Sequence, residues 1–133
     1  TATNGGLEST NPGNATGQVR VKTDTAALEK DQTTRRDPTT GAVVARKSKR
    51  YAYTFTATDV TNQYFDLPDV AGTDSIVLSV VGGGVQVETD DYTINYTGGT
   101  SSKTRITLAG GLASAGVSAL VLGDRVVVNY TAF

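Results

Sequence analysis

The sequence predicts an all-β protein, a small antiparallel β-sandwich or barrel of about seven or eight short strands that follows an extended N-terminal arm. Three observations support this prediction. After residue 50, apolar and polar residues alternate with a period of two in short runs. Gly, Pro, Asn and Asp separate these runs, as they do between strands. No long amphipathic helix pattern is present that could cover a parallel sheet.

The first 50 residues differ from the remainder in charge and in aromatic content. Residues 1–50 contain nine Lys or Arg and five Asp or Glu, whereas residues 51–133 contain three and eight. All nine Tyr and Phe residues lie at or after Tyr51. Large apolar side chains supply most of the burial in a small core, so residues 1–50 cannot offset their ordering entropy alone. We predict an extended, basic arm over residues 1–50 and a β-sandwich domain over residues 51–133; the alternative is a loose tail without a role.

Two segments of the arm favour strands, and a third favours a short helix. Residues 18–23 (QVRVKT) and 42–46 (AVVAR) have strand-like alternation, and residues 25–32 (TAALEKDQ) suit about one and a half helical turns. An extended arm strand can add to the edge of a partner's sheet. We therefore predict that four arm valines contact a partner: Val19, Val21, Val43 and Val44.

A basic run closes the arm at residues 46–50, with the sequence RKSKR. Such a run suits nucleic acid, a membrane surface or an acidic protein. The acidic domain that follows would repel phosphates, and no nucleic-acid-binding motif accompanies the run. We therefore expect an acidic protein partner and neither nucleic acid nor membrane; the alternative is a solvated patch without a partner. The predicted contacts are Arg46, Lys47, Lys49 and Arg50.

Residues 51–133 contain eight segments with strand-like alternation, each bounded by a turn signal. In the first segment, Tyr51, Tyr53 and Phe55 fall on one face and threonines on the other. Pro68 ends the second segment or marks a sheet edge. The segments are YAYTFTAT (51–58), QYFDL (63–67), SIVLSVV (75–81), VQVET (85–89), YTINY (92–96), KTRITL (103–108), SALVL (118–122) and RVVVNYTAF (125–133).

The same alternation predicts which side chains form the core. A shift of one residue in a strand would exchange its inward and outward faces, so each assignment depends on the register. The predicted core positions are Tyr53, Phe55, Ile76, Leu78, Val85, Val87, Tyr92, Ile94, Ile106, Leu108, Val126 and Val128.

The residue repertoire restricts the chemistry. The chain has no Cys and no His, which disfavours zinc sites and removes the Ser-His and Cys-His mechanisms. The acidic clusters at residues 66–74 and 88–91 lack the spacing of a calcium-binding loop and are typical of turns. Residues 111–116 (GLASAG) have the glycine spacing of a phosphate-binding loop but lack its lysine. We expect a protein that is not an enzyme, with no catalytic residue, cofactor or metal. A structural cation at the acidic turns is an open alternative.

Residues 76–130 carry a succession of short motifs. An apolar strand (IVLSVV) and a glycine turn precede VQVETD, DYTINY, RITLAGG and LGDRVVVNY. This order resembles a β-module that recurs in structural proteins of tailed bacteriophages, including tail-fibre, neck and capsid-associated proteins. The module often has an Asn-Gly turn where this chain has Gly82-Gly83-Gly84, and this chain has an extra segment around residues 113–122. The matching residues are Asp91-Tyr92-Thr93, Ile106-Thr107-Leu108, Gly123-Asp124, Val126, Val128 and Tyr130.

The resemblance implies a building block of a virion. A small β-domain with a long arm is similar to capsid decoration (cement) proteins, whose arms fasten neighbouring subunits of the major capsid protein. We therefore expect a homo-oligomeric protein, made in the host cytoplasm, that binds and stabilises the capsid shell on the phage particle surface. Alternatives are a tail, neck, baseplate or fibre component and, in a different class, a small-ligand or carbohydrate-binding β-module.

Overall fold

A computed structural model gives the fold and describes residues 6–9, 19–22, 29–37 and 39–133. Within these ranges, one α-helix, α1 (Ala57–Asn62), and three short 3-10 helices at Glu29–Asp31, Thr100–Ser102 and Gly110–Leu112 accompany the strands. The strands are β1 (Gly6–Ser9), β2 (Val19–Lys22), β3 (Thr34–Arg36), β4 (Val43–Ala45), β5 (Lys47–Thr54), β6 (Tyr64–Asp66), β7 (Val77–Val80), β8 (Gly84–Val85), β9 (Tyr92–Asn95), β10 (Arg105–Leu108) and β11 (Arg125–Ala132).

Two open antiparallel sheets form the body of the protein. The four-stranded sheet has the order β5-β11-β7-β8, and the three-stranded sheet has the order β6-β10-β9. Phe65, Ile106 and Tyr92 of the smaller sheet form one buried cluster with Leu78 and Val128 of the larger. This arrangement confirms the predicted small all-β fold of about seven or eight strands as a sandwich with seven, and the described residues form no closed barrel.

Strand β11 organises the larger sheet. It pairs with β5 over eight residues, from Arg125 opposite Thr54 to Ala132 opposite Lys47, and with β7 on its other side. Its alternate residues Val126, Val128 and Tyr130 are buried. Because β11 has two neighbours and a strict apolar period, its register is strongly specified.

The predicted core is wrong at Val85 and Val87. Both side chains are exposed, at 68% and 57%, whereas the other predicted core residues are buried or pack against the core. Val85 lies opposite Ser79, so it shares the outer face of the sheet rather than the face that carries Leu78. The glycine turn before β8 sets this register, and the VQV alternation alone does not reveal it.

The structure also differs from two predicted strands. Residues 56–58 end the first segment and begin α1, because Thr56 and Asp59 form a reciprocal capping box. Residues 118–122 form turns and irregular backbone instead of a strand. In the arm, residues 29–31 of the predicted helical segment form a 3-10 turn, while residues 25–28 lie outside the described residues.

Candidate protein-binding surfaces

The arm is attached to the sandwich at Phe133. The guanidinium groups of Arg35 and Arg46 each lie 4.6 Å from the centroid of its ring. Arg46 also donates from Nε to the backbone oxygen of Gln32 and from Nη1 to that of Thr131. Cation–π contacts of this kind contribute about 0.5 to 1 kcal/mol each at exposed sites. Phe133 is therefore the hydrophobic anchor for the segment that contains β3 and β4.

A second set of contacts fastens the arm beside this anchor. The backbone N–H of Thr73 donates to the backbone oxygen of Lys30 at 2.8 Å, and the Thr73 hydroxyl donates to Asp31 at 2.6 Å. The Lys30 ammonium lies 5.4 Å from the centroid of the Tyr96 ring. Residues 30–46 thus pack on the end of the sandwich where β11 finishes.

The four predicted arm valines lie in strands that pair within the arm. Val19 and Val21 belong to β2, which pairs with β1, while Val43 and Val44 belong to β4, opposite Arg36 and Arg35 of β3. Val43 is exposed and Val44 is half-buried. Partner contacts by these valines stay a prediction.

The predicted basic contacts divide into two pairs. Arg46 holds the Phe133 anchor, and Lys49 forms an ion pair with Asp69 at 2.8 Å while also donating to the backbone oxygen of Phe133. Lys47 and Arg50 are exposed on β5. The structure thus places two of the four basic side chains in contacts within the chain and two at the surface.

The outer face of the larger sheet carries a cluster of exposed valines that sequence reasoning missed as a site. Val77 is 45% exposed and Val81 61%. They flank Ser79 in the chain, whose partner Val85 is also exposed, and the exposed Val87 follows Val85 by two positions. The next strand adds half-buried Val127, which lies opposite Ser79. We name this cluster the valine face. One feature of the sequence could have indicated that these valines point outward. The VQV pattern comes directly after three glycines, in a strand too short for its alternation to fix which face is buried.

Two arginines flank the valine face. Arg50 lies opposite Asn129, which itself lies opposite Val77, and Arg125 lies opposite Thr54. Both arginines are exposed. Among the outward-facing residues of β5, β11, β7 and β8 there is no Asp or Glu. This face therefore combines apolar side chains with positive charge.

Three carboxylates of the sandwich serve its architecture. Arg105 binds Asp66 through two hydrogen bonds of 2.7 and 3.0 Å, and these bonds lower the pKa of Asp66 to about 2. Burial alone would raise the pKa of Asp69, but hydrogen bonds from Lys49 and Tyr130 keep it below its ordinary value. Asp59 is buried, where it caps α1 and accepts a hydrogen bond from Tyr53.

Burial and the contact with Asp59 raise the pKa of Tyr53 to about 12, so this phenol stays protonated at neutral pH. In the acidic turn at residues 88–91, the Asp91 carboxylate accepts a hydrogen bond from the N–H of Val87 at 2.9 Å. In the parts of the chain that the structure describes, no group of three or more acidic side chains is placed to hold a metal ion.

One surface cleft of about 370 Å³ lies on the turn that joins β3 and β4. Charged and hydroxyl side chains line it, and it has no aromatic ring on which a sugar could stack: its residues are Arg36, Asp37, Thr39, Thr40 and Gly41. Among the described residues, no helix has the length and apolar character needed to cross a membrane. The chain matches no protein-family model, no curated protein and no solved structure.

Proposed function

We propose that this protein is a non-enzymatic structural protein of a tailed-bacteriophage virion, a capsid decoration protein that binds the major capsid protein. The observation that carries the proposal is the valine face with its flanking arginines. Exposed apolar residues gathered on one face mark a protein interaction site more often than chance. Arg50 and Arg125 favour a partner surface that is apolar at its centre and acidic at its rim.

The arm supplies the second attachment. Residues 30–46 are anchored at Phe133, and the exposed side chains of Lys47 and Arg50 follow on opposite faces of β5. A protein that binds through a sheet face and an arm engages two places on its partner, and the second contact becomes intramolecular once the first has formed. This design suits the stabilisation of a shell, where an arm contacts the neighbouring subunit. The resemblance of residues 76–130 to phage structural modules supports the same assignment.

A binding experiment with paired variants tests the proposal. Shells of the major capsid protein, purified without decoration protein, are mixed with the wild-type chain and separated by sedimentation. Val85→Asp places a carboxylate in the valine face, whereas the control Thr93→Asp places one at an exposed position of β9 on the other sheet. Neither side chain is buried, so both variants should fold.

We expect the wild-type chain and Thr93→Asp to bind the shells with the same affinity and to raise their thermal stability. Val85→Asp should bind at least about tenfold more weakly, because it loses apolar burial and repels an acidic rim. Equal binding by the two variants would exclude the valine face as the docking surface. Immunogold labelling of whole virions locates the protein, and label confined to the region below the portal would contradict a shell location.

A further inference from the structure

Among the residues that the structure describes, strand β5 forms an open edge of the larger sheet. It is eight residues long and its one neighbour in the sheet is β11. The N–H of Phe55 donates to the backbone oxygen of Asp124 at 2.8 Å, which shows that position 55 points its backbone groups toward β11. Since these groups alternate along an antiparallel strand, odd-numbered residues of β5 bond to β11 and even-numbered residues point away.

The outward backbone groups form a continuous row. They belong to the exposed residues Ser48, Arg50, Ala52 and Thr54, and within the described residues no hydrogen-bond partner lies on that side. The row extends over about 20 Å at the usual rise of a strand. The other edge strands of the two sandwich sheets, β6, β8 and β9, have three, two and four residues. A long open edge is a template for another strand.

The side chains of β5 indicate which strand fits. The first half, KSKR, carries three positive charges, and the second half, YAYT, carries none but has two aromatic rings. Two copies of β5 in antiparallel orientation would place the basic half of each opposite the aromatic half of the other. Like charges then avoid direct opposition.

We infer that β5 pairs with β5 of a second copy, antiparallel and centred on Tyr51. Residues that lie opposite each other in two paired strands must share a face of the sheet. A pairing centred on Arg50 would place the Arg50 side chains of the two copies opposite each other, and a pairing centred on Ala52 would pair fewer residues of the two β5 strands. Centring on Tyr51 pairs Ser48 with Thr54 and Arg50 with Ala52 across the interface. About eight hydrogen bonds would join the two edges into one eight-stranded sheet.

This pairing has a consequence for the valine face. Residues that lie opposite each other in a sheet point to the same side, so both valine faces would lie on one side of the joined sheet. The dimer would then present two copies of the docking surface to one partner surface, and binding would gain from two simultaneous contacts. The inference itself rests on the edge strand alone and does not depend on the proposed function.

Single-cysteine variants test the register directly, because the natural chain has no cysteine to compete. In the proposed dimer, position 48 lies opposite position 54 of the other copy, within disulfide range. Two copies of position 48 lie about 20 Å apart, as do two copies of position 54. An equimolar mixture of Ser48→Cys and Thr54→Cys should therefore form a covalent heterodimer under mild oxidation, while each variant alone should not. Cross-linking of the single variants at the rate of the mixture would overturn the register.

A second pair of variants tests the edge itself. Ala52→Pro removes an outward N–H without touching the bonds to β11, and Ala52→Ser is the control that retains this N–H. Circular dichroism and thermal unfolding confirm that both variants fold. Analytical ultracentrifugation over the micromolar to millimolar range should show a dimer for the wild-type chain and for Ala52→Ser, and a dissociation constant at least about tenfold higher for Ala52→Pro. A wild-type chain that stays monomeric over this range would refute the inference, whatever its binding to shells.

Discussion

The ion pair between Asp66 and Arg105 gives the sharpest stability prediction. It joins β6 to β10, and the Asp66 carboxylate also accepts hydrogen bonds from the N–H and the hydroxyl of Thr100, at 2.8 and 2.9 Å. Arg105 in turn lies over the ring of Tyr64, 3.7 Å from its centroid. The substitution Asp66→Asn removes the negative charge while keeping the size of the side chain.

The pKa of Asp66 gives the size of the expected loss in the free energy of unfolding. Its fall from 3.8 to about 2 corresponds to about 2.4 kcal/mol. Because both side chains are partly open to solvent, screening reduces the expected loss for Asp66→Asn at pH 7 to about 1 kcal/mol. The folded pKa lies below the unfolded one, so the stabilisation is complete above about pH 4 and is lost as pH falls from 3.8 toward 2.

Urea unfolding at a series of pH values measures this effect. The control is Asp90→Asn, the same change at an exposed carboxylate in a turn. We expect Asp66→Asn to lower the free energy of unfolding by about 1 kcal/mol at neutral pH and to flatten its decline between pH 4 and 2. If Asp66→Asn and Asp90→Asn behave alike at both ends of the pH range, the ion pair does not stabilise the fold and our reasoning is refuted.

Three further predictions concern the arm, a loop and a helix. Phe133→Ala removes the contacts of the Phe133 ring with Arg35 and Arg46, which contribute about 1 to 2 kcal/mol in total. Hydrogen exchange at the Thr73 amide, which is bonded to Lys30, should therefore be about tenfold faster than in the wild-type chain. An unchanged exchange rate would mean that the arm is held elsewhere. Gly110→Ala should lower the melting temperature more than Gly82→Ala does. Both glycines have positive φ, but only at Gly110 would a Cβ overlap the backbone oxygen of Asp90. An equal fall in melting temperature for the two variants would contradict this reasoning. Thr56→Ala should cost about 1 kcal/mol in chemical denaturation through loss of the α1 cap, and a loss below about 0.3 kcal/mol would argue against the capping box.

Alternation along the chain was sufficient to predict the centre of the sandwich. Val126 and Val128, with Ile106 and Leu108, are buried as predicted, because each strand that carries them has a neighbour on both sides and one apolar face. In such strands a register slip would expose every large side chain at once. The alternation predicted about seven or eight strands, and the sandwich has seven.

The valine face could not be predicted in this way. Val85 belongs to an edge strand of two residues, where few contacts fix the register, so the same alternation is compatible with either face. The attachment of the arm at Phe133 depends on Arg35, which is 98 positions away in the chain, and no local pattern encodes such a contact. Helix α1 did have a local signal, the Thr56–Asp59 capping box, but the preceding strand pattern obscured it.

The most direct test of the proposed function is a cryo-EM reconstruction of capsid shells after incubation with the purified protein. We expect density at symmetric positions on the outer surface of the shell. In this density the outer face of the β5-β11-β7-β8 sheet should contact the capsid, and residues 30–46, anchored at Phe133, should contact the capsid beside it. Shells without added density, or density in which the valine face points to solvent, would contradict the account.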